Sequence, residues 1–433
     1  MGLRLVTAAL LLCIACVPAA GGQQISAQHL DDLRNGYRAL AGTFYRGLTS
    51  AELVAGARAG VTDALRAAGQ THSALPSPRK GTGAVDQIVA AVAAARRTKG
   101  LSETTLTYAA LDGMARAASD RYTVFLTPKE LRGFEEPLNP PHVFGIGVIL
   151  QQDERTKEID AAYVAPGTPA EVGGIQNGDV FDTIDGTSVH GLDVAHVRAL
   201  LLGQPGTVVR VRMLREGTQR PEVAILRAEI HAPTVYQKLL PNGIGYIAVG
   251  VFGEPTADEF AAALRHLQRL NARAFVIDLR NNGGGYVNAA VGIADHFIHT
   301  GPIVSIAERS GTTEYNADAT ANETHPIAVL VNHYSASASE IAAAALQDAG
   351  VATLVGSRTY GKGVVQQLTY NLDGSAMKVT TARYLTPHKR VIDGIGLAPD
   401  VPVNENDHPR YGDPASDAQL AAAITVVSAK AKS

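Results

Sequence analysis

The chain has 433 residues, 46% of them hydrophobic and 18% charged, with a formal net charge of −3. That length calls for two or three domains rather than one core, and the composition is that of a soluble globular protein. A charge balance so close to neutral offers no electrostatic footprint for nucleic acid or an anionic membrane.

The first residues, MGLRLVTAALLLCIACVPAAGGQQ, place one basic residue, Arg4, before an apolar run that ends in small residues around Ala19 to Gly22. This pattern predicts a secretory signal over residues 1–22, and hence an exported, periplasmic or envelope-associated protein. It is too short for a good membrane span. Lipid attachment at Cys16 is the weaker alternative, because Cys13 stands where such signals usually carry leucine. Both cysteines of the chain lie here. Once this segment is removed, no thiol remains for a disulfide, a nucleophile or a metal site. Catalysis would then fall to Ser, Thr, Asp, Glu, His or Lys.

Residues 23–137 read as a helical region. AELVAGARAGVTDALRAAG and TLTYAALDGMARAASD space their apolar residues by three and four, and GQTHSALPSPRKGTG is a loop between them. After EEPLNPP the period changes to two. Residues 138–229 form a compact β-rich unit: VFGIGVILQ is a strand, Asp185-Gly186 marks a hairpin, and LDVAHVRALLLG is an amphipathic helix. From 230 to 408 apolar strands such as AFVIDLR and IAVLVN alternate with helices such as ADEFAAALRHLQRL and EIAAAALQDAG. The layout is mixed α/β. Residues 409–433 end in one more helix. The whole is an α+β multidomain chain.

Three segments could carry chemistry. In HYSASASEI, Ser337 and Glu340 fit the S-x-x-E capping box that opens a helix. A serine on a strand-to-helix turn is also exposed above the sheet, beside free N–H groups suited to an oxyanion. Both readings stand on this stretch alone. A serine nucleophile needs a base. No histidine is placed to serve, and no metal-ligand spacing or cofactor motif occurs. Lys362 lies between two glycines in GSRTYGKGVVQQ. As a base near neutral pH it needs a pKa lowered by roughly three units, about 4 kcal/mol, which desolvation can supply. Gly356 to Lys362 also fit G-x-x-x-x-G-K, but Gly363 and a β-branched run follow where a phosphate loop needs Ser or Thr and a helix. The third segment, VIDLRNNGGGY, is a strand running into a glycine loop, which serves as a tight turn or as a set of backbone donors.

Taken together, DLRNNGGG, VNHYSASASEIAAAALQDAG, GSRTYGKGVVQ and RYLTPHKRVIDGIGLAPDV resemble the C-terminal processing peptidases, or tail-specific proteases. SDRYTVFLTPKEL is similar to the segment that precedes their PDZ domain. VFGIGVIL and VAPGTPAEVGGIQNGDVFDTIDG resemble the PDZ domain itself. The resemblance runs from about Leu106 to Val403. It implies a PDZ-like domain followed by a mixed α/β peptidase domain of the ββα-spiral kind, acting as a serine endopeptidase through a Ser/Lys dyad. Ser337 matches the nucleophile, Lys362 the general base and Gln366 the residue that orients it. Lys362, Val364 and Gln366 would face one way on a strand. The N–H groups of Gly283 and Ala338 match the oxyanion hole.

The PDZ resemblance implies that a substrate chain end adds as a strand, its carboxylate held by backbone N–H groups of Phe144, Gly145, Ile146 and Gly147. Expected partners are proteins or peptides with apolar C-termini. A homodimer and an adaptor protein are compatible with the family, and no nucleic acid is expected. The chain departs from the family at His388, Lys389 and Arg390, where a small residue and glycine are usual, and in the inserted GQTHSALPSPRKGTG loop. The rival reading is a non-catalytic peptide-binding scaffold or ligand carrier on the same fold.

Overall fold

The computed structural model describes residues 25–431 apart from 71–74, 78–80, 98–99, 154–155, 166, 320, 322 and 405–411. The expected signal segment and Cys16 lie outside the described residues. Among the described residues no helix is long and apolar enough to cross a membrane. The chain divides into two compact units. One holds the N-terminal residues to Phe125, without 43–46, together with Thr369–Val379; the other holds the rest.

The first unit is helical: Ala27–Thr43, Ser50–Ala67, Ala84–Ala95 and Glu103–Ala117. Side chains fix where two of these begin. Thr49 and Glu52 form a capping box before the second helix, and Ser102 accepts from Thr105 N–H before the fourth. The second and fourth helices touch backbone to backbone through glycine. A Cβ on Gly60 would lie 1.9 Å from the Ala109 carbonyl oxygen, and one on Gly56 would lie 2.4 Å from that of Gly113. The strands Val364–Tyr370 and Ala376–Leu385 form a hairpin whose turn belongs to this unit. Tyr108 donates to Asp373 in that turn at 2.6 Å.

In the second unit, the expected β-rich segment packs strands Val148–Gln152, Ile159–Val164, Val180–Ile184, Val208–Arg215 and Val223–Leu226 with the helix Val194–Leu201. Its core is apolar, with Ile159, Phe181, Ile184, Val197, Val209 and Val211 buried. The hairpin at Asp185-Gly186 forms with both residues at positive φ, 48° and 77°, as a two-residue primed turn requires. VFGIGVILQ is two strands rather than one. Val143–Gly145 pairs with Ala228–Ile230, and a separate strand starts at Val148. Gly147 breaks the run: its φ is +88°, and a Cβ there would meet the Thr168 side chain at 2.3 Å.

The remainder is built on a six-stranded sheet in the order Val235–Leu240, Ile244–Val249, Ala274–Asp278, Ile327–Val331, Ala352–Gly356 and Val401–Pro402. The first pair is antiparallel and the others are parallel. Ala274–Asp278 and Ile327–Val331 are buried at every residue, which explains the apolar runs AFVI and IAVLV within them. Phe275, Ile277, Val329 and Val331 pack with helices Thr256–Arg269, Val287–Asp295 and Ala338–Asp348. Alternate residues Ala274, Val276, Ala328 and Leu330 pack with Leu420, Ala423 and Val427 of the C-terminal helix Ala418–Lys430. A hairpin not among the expected elements, Pro302–Glu308 with Gly311–Asn316, joins Ala376–Leu385 in a second sheet.

Candidate active site

Three adjacent parallel strands end side by side, with Asp278 paired to Leu330 and Val331 to Gly356. Their carboxyl ends release the three segments singled out in the sequence, at the edge where open α/β sheets gather their functional groups.

The turn after Ile327–Val331 ends at Ser337, the residue before the helix Ala338–Asp348. Ser337 is half-buried with φ +58° and ψ −117°. An ordinary helix cap sits in the β region. A non-glycine residue in the geometry of Ser337 is strained, and such strain gathers at functional positions. The neighbouring serines spend their hydroxyls on structure. Ser335 Oγ donates to the Leu279 carbonyl at 2.8 Å, and Ser339 Oγ donates to that of Asn282 at 2.8 Å. Both bonds fasten the serine turn to the glycine loop.

That loop closes tightly on Ser337. A Cβ on Gly284 would lie 2.6 Å from the Ala336 oxygen, 2.7 Å from Ser337 Cβ and 2.8 Å from Ala338 N. Asn282 is fully buried and pins the loop, donating to the Val249 carbonyl at 2.7 Å and accepting from Gly284 N–H at 2.8 Å. Asn332 accepts from Asn281 N–H at 3.0 Å and donates back to the Asn281 side chain at 3.0 Å. Gly283 faces open space, with nothing within 4 Å of an added Cβ.

Glu340 joins the serine turn to the lysine segment. It is fully buried. Its Oε2 accepts from Ser337 N–H at 3.0 Å and from Lys362 N–H at 2.8 Å. Its Oε1 accepts from Thr359 Oγ1 at 2.5 Å and from Gly361 N–H at 2.8 Å. Four donors on one carboxylate satisfy its lone pairs without a cation. The sequence marked Glu340 only as half of a capping box; the structure makes it the shared acceptor of two segments.

Lys362 is half-buried. The strand expected to include it begins at Val364, so Lys362 lies before the ladder and the same-face argument holds only for Val364 and Gln366. The polar backbone around the lysine is used elsewhere: Gly361 accepts from Gly394 N–H at 2.9 Å, and Gly363 N–H donates to Asp393 at 3.1 Å. Gln366 is half-buried on the strand, and its Nε2 is buried without a hydrogen-bond partner. His388, Lys389 and Arg390 dock on both sides of the site's scaffold. Lys389 Nζ donates to Ser305 at 2.7 Å and pairs with Glu314. Arg390 pairs with Asp348 and donates to Gln347 at 3.0 Å, and His388 N–H donates to Asp348 at 2.9 Å.

Beneath the glycine loop lies a buried ionic cluster that the sequence reading missed. Arg280 Nη2 meets Asp278 at 2.6 Å and Asp417 at 2.7 Å. Burial alone would lower the Arg280 guanidinium; its hydrogen bonds to Asp278 and Asp417 outweigh this and hold it above its ordinary value. Tyr246 donates to Asp278 at 2.7 Å, and burial with the adjoining negative charge pushes its phenol up.

Away from the sheet, a mostly apolar groove runs between the strand Val148–Gln152 and the helix Val194–Leu201. Ile146, Gly147, Val148, Leu150, Val194 and Arg198 are among its walls. Of the four residues expected at a carboxylate loop, Ile146 and Gly147 line this groove. Phe144 and Gly145 instead lie in the short strand paired with Ala228–Ile230.

Comparison with known proteins places the chain in a family. The sequence model described as peptidase family S41 matches residues 243–403, and the PDZ domain model matches residues 161–215. The carboxy-terminal processing proteases CtpB and CtpA of Bacillus subtilis are each 34% identical over 69% of this chain, which spans 63% and 64% of their lengths. The carboxyl-terminal-processing protease of Synechocystis is 34% identical, covering 69% of this chain and 71% of its own length. Among solved structures, a photosystem II D1 C-terminal processing protease is 27% identical with a TM-score of 0.46, covering 88% of this chain and 94% of that one. The chain belongs to peptidase family S41, together with these carboxy-terminal processing proteases.

Proposed function

We propose that the chain is an exported serine endopeptidase that recognises protein C-termini through its PDZ domain and cleaves nearby peptide bonds with a Ser337/Lys362 dyad. The observation that carries this reading is the single Glu340 oxygen that accepts from both Ser337 N–H and Lys362 N–H. It fixes the backbone of the proposed nucleophile against that of the proposed base, in a turn where Ser337 holds a strained conformation.

In this reading neutral Lys362 takes the Ser337 hydroxyl proton as Oγ attacks the scissile carbonyl carbon. The carbonyl becomes an oxyanion held by the N–H groups of Gly283 and Ala338, the second at a helix N-terminus whose dipole favours negative charge. Collapse breaks the C–N bond, and Lys362 returns the proton to the leaving amine. Water, deprotonated by the same lysine, then hydrolyses the acyl-enzyme. Gln366 orients Lys362. The apolar groove beside Gly147 takes the substrate's chain end, favouring apolar C-terminal residues. The proposed divisions are a signal at 1–22, the helical region 23–137, the PDZ domain 138–229, the peptidase domain 230–408 and the tail 409–433.

The test is cleavage of unfolded polypeptides with apolar C-termini by Ser337→Ala and Lys362→Ala. Each is expected to lose about 10³-fold or more in kcat. Wild-type rates in both would refute the dyad; absence of cleavage by the unmutated protein would favour a non-catalytic binding role.

A further inference from the structure

The C-terminal helix holds the other side of the same loop. Arg280 stands three residues before Gly283, and its side chain is 1% exposed, as is that of Asp417. All five guanidinium donors are used. Nε donates to Asp278, and Nη2 divides between Asp278 at 2.6 Å and Asp417 at 2.7 Å. Nη1 donates to Asp417 at 2.9 Å and to Gln419 at 3.1 Å. Three of the five therefore end on residues at the start of the helix Ala418–Lys430. Asp417 also caps that helix, accepting from Leu420 N–H at 2.9 Å. Gln419 is further tied to the Val403 carbonyl at 2.9 Å.

We propose that Asp417 is a positioning residue for the proposed peptidase reaction: by gripping Arg280 bidentately it sets the backbone that presents Gly283 N–H to the oxyanion. The inference rests on the reading of Ser337, Lys362 and Gly283 given above. A planar guanidinium clamped on two edges by carboxylates cannot rotate or slide without breaking paired bonds. Its own backbone therefore leaves the sheet at a set height. On the far side Asn282, Ser335 and Ser339 hold the loop to the core and to the serine turn. Removing the Asp417 clamp frees the near side alone. Because an oxyanion hole acts on the developing charge rather than on the bound peptide, the effect belongs in kcat and not in KM.

The test uses Asp417→Asn in the full chain. Asparagine caps a helix as well as aspartate but loses the charge and the bidentate grip. The expected result is a kcat at least tenfold lower with KM within twofold. Affinity for a peptide aldehyde, whose hemiacetal oxygen occupies the oxyanion position, should fall in parallel. Val427→Ala, on the apolar face of the same helix, serves as the stability control and should keep its kcat well below its melting temperature. A wild-type kcat in Asp417→Asn, or an equal loss in Val427→Ala, would overturn the proposal. If Asp417→Asn does not fold, Gln419→Met decides: it removes one acceptor of the three and should lower kcat severalfold at constant KM, and an unchanged kcat refutes the clamp. Ser337→Ala assayed alongside separates the two claims. If it retains activity, the assignment of Ser337 as nucleophile has failed; if it is inactive while Asp417→Asn is fully active, only the clamp has failed.

Discussion

Glu340 shows how much of the site one residue decides. A carboxylate at full burial survives only when its charge is met, and here four donors meet it. Glu340→Gln replaces one acceptor oxygen with a donor amide facing N–H groups, so at least one buried donor loses its partner. We expect a loss of about 2–4 kcal/mol in stability and a drop in kcat/KM of more than tenfold, measured by denaturant unfolding and peptide cleavage. Asp32 is the opposite case. It is buried in the helical unit with both carboxylate oxygens unpartnered, and burial, with Asp373 adding to it, raises its pKa to about 6. The folded pKa lies above the unfolded value near 3.8, so this group's stabilising contribution is complete below about pH 4 and is lost as pH rises through 6. Asp32→Asn should therefore remove a stability difference between pH 5 and pH 7, and at pH 8 gain up to about 3 kcal/mol over wild type. Equal pH dependence in the two proteins would show that Asp32 does not titrate in that range.

At the scale of elements, the sequence was legible where one local signal decides. The strands Ala274–Asp278 and Ile327–Val331 announce themselves by the apolar runs AFVI and IAVLV, and the Asp185-Gly186 turn by its two residues. Ser337 could be placed at a helix start, but its strain depends on the glycine loop packing against it, which no local pattern contains. Asp417 was invisible for a plainer reason. An aspartate before a helix reads as a cap, and its second partner, Arg280, is 137 residues away. The strand VFGIGVILQ was misjudged because alternation continues through Gly147, which has a positive φ and no room for a side chain beside Thr168. Glycine also governs the helical unit. A methyl group on Gly60 would fall inside the contact distance of the Ala109 carbonyl, so Gly60→Ala must push the two helices apart. Against a helix-propensity gain of about 1 kcal/mol, the overpacking should cost about 2–4 kcal/mol, for a net loss read in denaturant unfolding of the full chain. A stabilised Gly60→Ala would mean the helices do not cross that closely.

For the molecule as a whole, the proposed function divides two tasks between the PDZ segment and the peptidase segment, so damage to one should leave the other's constant untouched. Leu150 lines the apolar groove and lies far in sequence from the three segments of the proposed active site. Leu150→Asp puts a charge where an apolar chain end is expected. KM for substrates with apolar tails should rise about tenfold or more at unchanged kcat, while a short peptide lacking the tail is cleaved at the wild-type rate. Equal slowing of both substrates would argue that the groove does not take the chain end.

The helical unit is not finished by the helices that come first. It takes in Thr369–Val379, and a Cβ on Gly36 of the first helix would sit 3.4 Å from the Met377 methyl. A ribosome delivers those helices early and the hairpin that completes them only after most of the chain has been made. Folding of domains usually follows the order of synthesis; here the first segment out must wait for one of the last. Chains arrested before residue 369 should hold their first hundred residues open to protease, and chains released past residue 380 should close them. The strand that carries Gln366 runs into that same hairpin, so Gln366 and the segment that completes the N-terminal core are made within a few residues of each other.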